Sequence, residues 1–210
     1  LAVDPTTPST LYAEEVNPGS VQAPQILKCP DGATTWGALD PGPWNLCAAL
    51  AVAPTAPATL YTGCRDPATR TGVLLKSIDG GKGWTVAHGQ LPERAAIVTI
   101  TIDPSVPSTV YLIYNYPGPR VGIAKSTDGA ASWSVIYDAP HDLVFPPIAI
   151  DPAAPSTVYA GGPDGVRKST NGGTDWEPAK DGLIDFDIRL LVPDPVITAV
   201  VFTGGRDGVF

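Results

Sequence analysis

By type, the acidic side chains are the residues here best suited to chemistry. Asp31, Asp79 and Asp128 each lie two residues after a Cys or Ser and are followed by Gly, and Asn171 takes the same place once more. Two carboxyl groups within about 10 Å of each other can hydrolyse a glycosidic bond, one as acid and the other as base or nucleophile. Ser108 and Ser156 would act as nucleophiles only beside a His and an acid, and the chain holds just two histidines, His88 and His141. Cys29, Cys47 and Cys64 show no CxxC or Cys/His spacing of a metal site. No metal or cofactor is expected.

The spacing of the acids argues against catalysis. They belong to a motif that recurs down the chain: Cys29-Pro30-Asp31-Gly32 to Trp36, Ser77-Ile78-Asp79-Gly80 to Trp84, Ser126-Thr127-Asp128-Gly129 to Trp133, and Ser169-Thr170-Asn171-Gly172 to Trp176. A second motif alternates with it. Asp4-Pro5, with Thr10-Leu11-Tyr12 behind it, returns at Ala53-Pro54, Asp103-Pro104, Asp151-Pro152 and, more weakly, Asp194-Pro195. Its starts at 4, 53, 103, 151 and 194 give steps of 49, 50, 48 and 43. Groups repeated once per unit are spread out along the fold rather than gathered at one site. Their chemistry suits turns: an Asp or Asn accepts backbone N–H groups, and a Gly adopts positive φ. Asp31, Asp79, Asp128 and Asn171, with Ser77, Ser126, Ser169 and Trp36, Trp84, Trp133, Trp176, are therefore expected to be structural. The Asp-Pro segment also reads as a turn, in which Pro sets φ and a Ser or Thr caps the loop before the next strand.

Each unit divides into four strands. In the third unit the run from Ala96 to Ile102 is a buried strand, followed by Thr109 to Tyr114, Val121 to Ser126 and Trp133 to Tyr137. No long stretch keeps a 3.6-residue apolar period, and Gly (22) and Pro (24) punctuate the chain throughout. Four antiparallel strands at a period of about 40–50 residues predict an all-β fold, a β-propeller of four-stranded antiparallel blades with about four and a half blades present. The expected blade limits are 1–44, 45–94, 95–143, 144–187 and an incomplete 188–210, in a single domain.

The Ser-x-Asp-x-Gly turn ending in Trp resembles the Asp-box, or BNR repeat, of sialidases, xyloglucanases, sortilin-type receptors and photosystem II assembly factors. The resemblance covers nearly the whole chain. It implies that the turn joins the third and fourth strands of each blade, with the indole wedged against the neighbouring sheet. For activity it implies less. No Arg-Ile-Pro segment of the sialidase kind occurs, and the xyloglucanase-like hydrolases place their two acids between two propellers, of which this chain holds at most one. A non-catalytic propeller is expected, an extracellular or periplasmic binding or scaffold domain for protein or carbohydrate, or a subunit of a larger assembly. A glycoside hydrolase fragment is the alternative, with Glu93, Asp142 or Asp185 as candidate acids.

In a propeller the turn motifs occupy one face, and the irregular second-to-third and blade-to-blade loops occupy the other. Arg70, Arg94, Arg120, Tyr114, Tyr116 and Asp142 lie in or beside those loops, a mixture of aromatic and charged groups suited to recognition. Cys47 and Cys64 stand about equally far from the turn near Thr55-Ala56. One reading pairs them as a cross-strand disulfide and leaves Cys29 as a thiol; the other makes all three small buried hydrophobes.

A net charge of −8 opposes binding to nucleic acid, whose phosphates need a basic surface. No apolar run is long enough to span a membrane. Met is absent and no signal-peptide pattern opens the chain, so Leu1 reads as a processed terminus or the start of a fragment. The chain is expected to stop within the third strand of a fifth blade. That implies a longer parent, seven-bladed by family analogy, or a second chain covering the open edges.

Overall fold

A computed structural model describes residues 1–14, 26–87, 95–116, 120–140, 147–162, 165–179, 183, 188–194, 197 and 200–205. These residues form strands and turns, and no helix capable of crossing a membrane is found among them. The first sheet consists of β1 (Ala2–Val3), β2 (Leu11–Glu14), β3 (Ile26–Cys29) and β4 (Gly37–Leu39). The second holds β5 (Asn45–Val52), β6 (Leu60–Arg65), β7 (Gly72–Ser77) and β8 (Thr85–Val86). The third holds β9 (Ala96–Ile102), β10 (Val110–Asn115), β11 (Arg120–Ser126) and β12 (Ser134–Pro140). The fourth holds β13 (Ile148–Ile150), β14 (Val158–Gly162), β15 (Gly165–Ser169) and β16 (Glu177–Pro178), and β17 (Leu190–Pro193) pairs with β18 (Val201–Gly204) in a fifth.

Every four-stranded sheet is an antiparallel meander in sequence order. The first strands β1, β5, β9, β13 and β17 touch one another in succession, as the innermost strands of consecutive blades do. The fold is a β-propeller.

The core lies between the blades, not inside any one of them. Strand β10 shows why: its side chains alternate, so Val110, Leu112 and Tyr114 join a cluster with Ala49, Tyr61 and Leu74 of the second blade. Tyr111 and Ile113 point the other way, into a cluster with Ile148, Ile150 and Val158 of the fourth. Both faces are covered, so the strand reads as an unbroken apolar run, Val-Tyr-Leu-Ile-Tyr, instead of an alternating one. Cys47, Cys64 and Leu75 meet Ile26 across the first boundary, and Tyr159 and Val166 meet Ile188 and Leu191 across the last. Each fully buried aliphatic side chain there contributes roughly 1.5–3 kcal/mol.

Two sequence expectations are corrected. In the Asp-Pro segment the cap is the Asp carboxylate: Asp103 accepts the N–H groups of Ser105 (2.8 Å) and Val106 (3.0 Å), and Asp4 those of Thr6 (2.8 Å) and Thr7 (3.0 Å). The fourth strand of the third blade runs from Ser134 to Pro140, past the expected end at Tyr137, and pairs with β11 as far as Arg120↔Pro140 across a bulge opposite Ile123 and Ala124.

Cys47 and Cys64 form a disulfide between β5 and β6, and Cys29 is a buried thiol. The ladder pairs Ala49 with Gly63 and Asn45 with Arg65, leaving residues 46–48 opposite Cys64. Leu46, at φ 48°, sits in this bulge, which brings Cys47 over its partner.

Candidate functional site

The four turns between third and fourth strands share one hydrogen-bond plan. In the third blade the Ser126 hydroxyl donates to Asp128 Oδ1 (2.7 Å) and accepts from the Ala130 N–H (2.9 Å). Asp128 Oδ1 also takes the N–H groups of Ala131 (3.0 Å) and Ser132 (2.9 Å), and Oδ2 takes the Ser132 hydroxyl (2.6 Å). Ser77 and Asp79 repeat this in the second blade, with Gly81, Lys82 and Gly83 as donors. In the first blade the Cys29 thiol takes the hydroxyl's place, donating to Asp31 (2.9 Å) and accepting from Ala33 (3.0 Å). In the fourth, Asn171 accepts from Ser169 (2.9 Å) and Asp175 N–H (2.9 Å), and its amide donates to Asp175 Oδ2 (2.7 Å).

These bonds fix the charge state of the acids. The Cys29 thiol, then the Thr35 hydroxyl and N–H, hold Asp31 far below the usual carboxyl range. Ser132, through its hydroxyl and its N–H, does the same for Asp128, and the Gly83 N–H followed by the Ser77 hydroxyl lowers Asp79. A general acid must hold a proton at working pH, and carboxyls held below their ordinary range do not.

The turns also join blade to blade. Within each blade the Gly after the Asp or Asn donates its N–H to the first-to-second turn, Gly129 to Ser108 O (2.8 Å) and Gly172 to Ser156 O (2.7 Å), so both motifs share one face. The carbonyl of that Gly is held from the preceding blade. Tyr61 Oη (3.2 Å) and Lys76 Nζ (2.8 Å) donate to Gly129 O. Tyr111 Oη (3.2 Å) and Lys125 Nζ (3.1 Å) donate to Gly172 O. In the first blade Lys28 and Tyr12 lie against Gly80 in the same way. Each ammonium also stands over its tyrosine ring, at 5.4 Å for Lys76 and 5.2 Å for Lys125. Sequence reasoning missed this latch, although its signal was there: a Tyr closes each of the first four copies of the Pro-containing motif, and a Lys stands immediately before every turn Ser or Cys.

The indoles behave less uniformly than expected. Trp133 is buried and donates its N–H to Ala87 O of the preceding blade (3.1 Å). Trp84 packs against the cluster between the first and second blades, and Trp176 meets Tyr137 edge-on, yet neither indole N–H has a partner among the described residues. Trp36 is 40% exposed, since no described blade precedes the first.

On the opposite face the third blade gathers Tyr114, Tyr116 and Arg120. The Tyr114 ring is buried and meets Tyr116 edge-to-face at 5.3 Å. Arg120 stands 5.8 Å from the Tyr116 centroid and forms a two-donor ion pair with Asp138 through Nη2 (2.8 Å) and Nε (3.2 Å). That contact raises the guanidinium further above its ordinary value, and burial pushes the Tyr114 phenol well up. Asp138 was not foreseen; it reaches the cluster through the extension of β12. Arg70 lies elsewhere, at φ 59° in the second blade's loop, where Asp66 O accepts its N–H (2.8 Å). Arg94 and Asp142, with Glu93 and Asp185, lie outside the described residues.

One acid on this face has the opposite tendency to the turn carboxylates. Burial raises Glu14, at the end of β2, to about 6, against a hydrogen bond from Thr62 Oγ1 (3.3 Å). No group of three or more His, Cys, Asp or Glu able to hold a metal is found among the described residues.

Solved structures share this architecture. A GH74 enzyme from Niastella koreensis superposes with a TM-score of 0.75 at 24% identity, over 98% of this chain and 33% of its own. The GH74 xyloglucanase of Xanthomonas campestris gives 0.60 at 16% identity, over 99% and 43%. The extracellular domain of a one-component system from B. thetaiotaomicron gives 0.63 at 12% identity, over 99% and 26%. The chain therefore spans less than half of each, and at these identities the likeness is one of fold. No family model matches the chain, and no curated protein matches it either.

Proposed function

We propose that this chain is a non-catalytic Asp-box propeller, an exported binding or scaffold domain for protein or glycan, working as a module of a larger assembly. The observation that carries this reading is the fate of the repeated carboxylates. Asp31, Asp79 and Asp128 are each saturated by hydrogen bonds from their own turn and held ionised. They build the scaffold, and recognition falls to the loop face. There Tyr116 and Arg120 offer an aromatic ring and a planar cation side by side, the pairing that contributes most to polar recognition surfaces. Export is supported by the Cys47–Cys64 disulfide, a bond that persists in oxidising compartments.

The GH74 neighbours keep glycoside hydrolysis as the reading to be tested against. Incubation with xyloglucan should release no reducing ends, while glycan and peptide arrays should show ligands whose binding falls about tenfold or more in Tyr116→Ala and Arg120→Ala. Measurable release of reducing ends would overturn the proposal.

A further inference from the structure

Asn171 and Asp175 depart together from the chemistry of the other turns. In the first three blades the residue four places after the Asp is Thr35, Gly83 or Ser132, and each donates its N–H to that carboxylate, Thr35 and Ser132 adding a hydroxyl. In the fourth blade the acceptor is an amide and its partner is an acid. Asp175 N–H reaches Asn171 Oδ1 (2.9 Å), and Asn171 Nδ2 donates to Asp175 Oδ2 (2.7 Å). Asn171 is also the one asparagine of the chain that precedes a glycine. Asn-Gly is the dipeptide most prone to deamidation, because no side chain hinders the approach of the glycine nitrogen to the amide carbon.

We propose that Asn171 is a deamidation site restrained by its own turn, and that its conversion loosens the join between the third and fourth blades. In the reaction Gly172 N attacks Asn171 Cγ and the new C–N bond closes a cyclic imide. The side-chain nitrogen leaves as ammonia, taking the proton from Gly172 N. Water then opens the ring at either carbonyl, giving aspartate or isoaspartate. The fold opposes the first step at both reacting atoms. Gly172 N–H is committed to Ser156 O (2.7 Å), and the Asn171 amide is held by the Ser169 hydroxyl, the Asp175 N–H and the Asp175 carboxylate. Asn171 itself is exposed, so water and base reach it once these bonds open. The product fits the turn badly. Aspartate at this position sets a carboxylate oxygen against Asp175 Oδ2 where an N–H now donates, and like charges at that distance repel. Isoaspartate adds a methylene to the backbone just before Gly172, whose carbonyl accepts from Tyr111 Oη and Lys125 Nζ of the preceding blade. This site belongs to the scaffold and does not depend on how the loop face is read.

The test incubates the intact protein in mildly alkaline buffer, digests it with trypsin and follows the peptide between Lys168 and Lys180 for a gain of one mass unit. Conversion is expected to be about 10-fold or more slower in the folded protein than in the same chain in urea. Asp175→Ala, which removes the charged acceptor, should speed conversion of the folded protein about 10-fold. Asn171→Asp, which stands for the product, should lower the unfolding midpoint. Asn171→Asp combined with Asp175→Ser recreates the Asp128 and Ser132 pair of the third blade and should restore it. Equal rates in folded and unfolded protein, or no conversion in either, would overturn the proposal. So would an Asp175→Ala rate equal to wild type, or an Asn171→Asp midpoint as high as that of wild type.

Discussion

The hydroxyl of Tyr61 donates to the carbonyl of Gly129 at 3.2 Å, tying the second blade to a turn of the third 68 residues away. Tyr111 repeats the contact to Gly172. A phenylalanine at either position keeps the packing but removes one of the two donors to the Gly carbonyl, leaving only the lysine. Tyr61→Phe and Tyr111→Phe should each lower stability by about 0.5–1.5 kcal/mol in urea denaturation. Equal stability of both variants and wild type would mean that the latch does not hold the blades together.

Ala33 and Ala130 occupy the left-handed region, both at φ 74°, where the second and fourth blades place Gly81 and Gly173. A Cβ is strained there by about 1 kcal/mol. Ala33 is exposed, so Ala33→Gly should raise stability by about 0.5–1 kcal/mol. Ala130 is buried in the cluster between the second and third blades, and losing its methyl should offset the relief, leaving Ala130→Gly within about 0.5 kcal/mol of wild type. Thermal melts of the two variants separate these effects.

Stability should depend on pH from both sides. Asp31, Asp79 and Asp128 are more acidic folded than unfolded, so their stabilisation is present above the ordinary value of 3.8 and is lost as pH falls below it. Glu14 behaves in the opposite way: raised from 4.5 to about 6, it favours the fold below 4.5 and loses that contribution as pH rises through 6. Denaturation midpoints should therefore peak between about pH 4 and 6. Glu14→Gln should flatten the alkaline side alone, and Asp128→Asn should weaken the acid side, since Asn171 already shows that an amide fits the turn.

Much of this architecture is legible in the sequence, and the reasons are local. The turn residues must accept N–H groups and tolerate positive φ, so the Ser-x-Asp-Gly pattern is visible at each recurrence, with Cys for Ser in the first and Asn for Asp in the fourth, and β10 announces burial on both faces by having no polar residue between Val110 and Tyr114. Contacts between blades are harder to read. Nothing near Tyr61 indicates that its partner is Gly129, because that pairing depends on how two sheets stack. Asp138 joins Arg120 because β12 runs on beside β11 past a bulge, and a bulge leaves no fixed mark in sequence. Trp36 carries the same motif as Trp133, yet the two differ in burial because a wedge needs a neighbouring blade.

The first blade offers a chemical substitution to exploit. Cys29 Sγ does the work of a serine hydroxyl, donating to Asp31 and accepting from Ala33. Cys29→Ser should preserve stability within about 0.5 kcal/mol, while Cys29→Ala, which leaves the Ala33 N–H without its acceptor, should cost about 1–3 kcal/mol. Reduction of the Cys47–Cys64 bond, which spans 17 residues, should cost about 3 kcal/mol on the chain-entropy estimate. The two effects can be told apart in the same calorimetric series, because only the second responds to reductant.

The unfolding midpoint of Asp128→Ala at neutral pH tests most directly whether the repeated acids serve the fold. Removing that carboxylate leaves the Ala131 and Ser132 N–H groups and two hydroxyls without an acceptor, and the midpoint is predicted to drop clearly below that of wild type. A midpoint unchanged by the substitution would show that these carboxylates are kept for another purpose, and the structural role assigned to them here would be wrong.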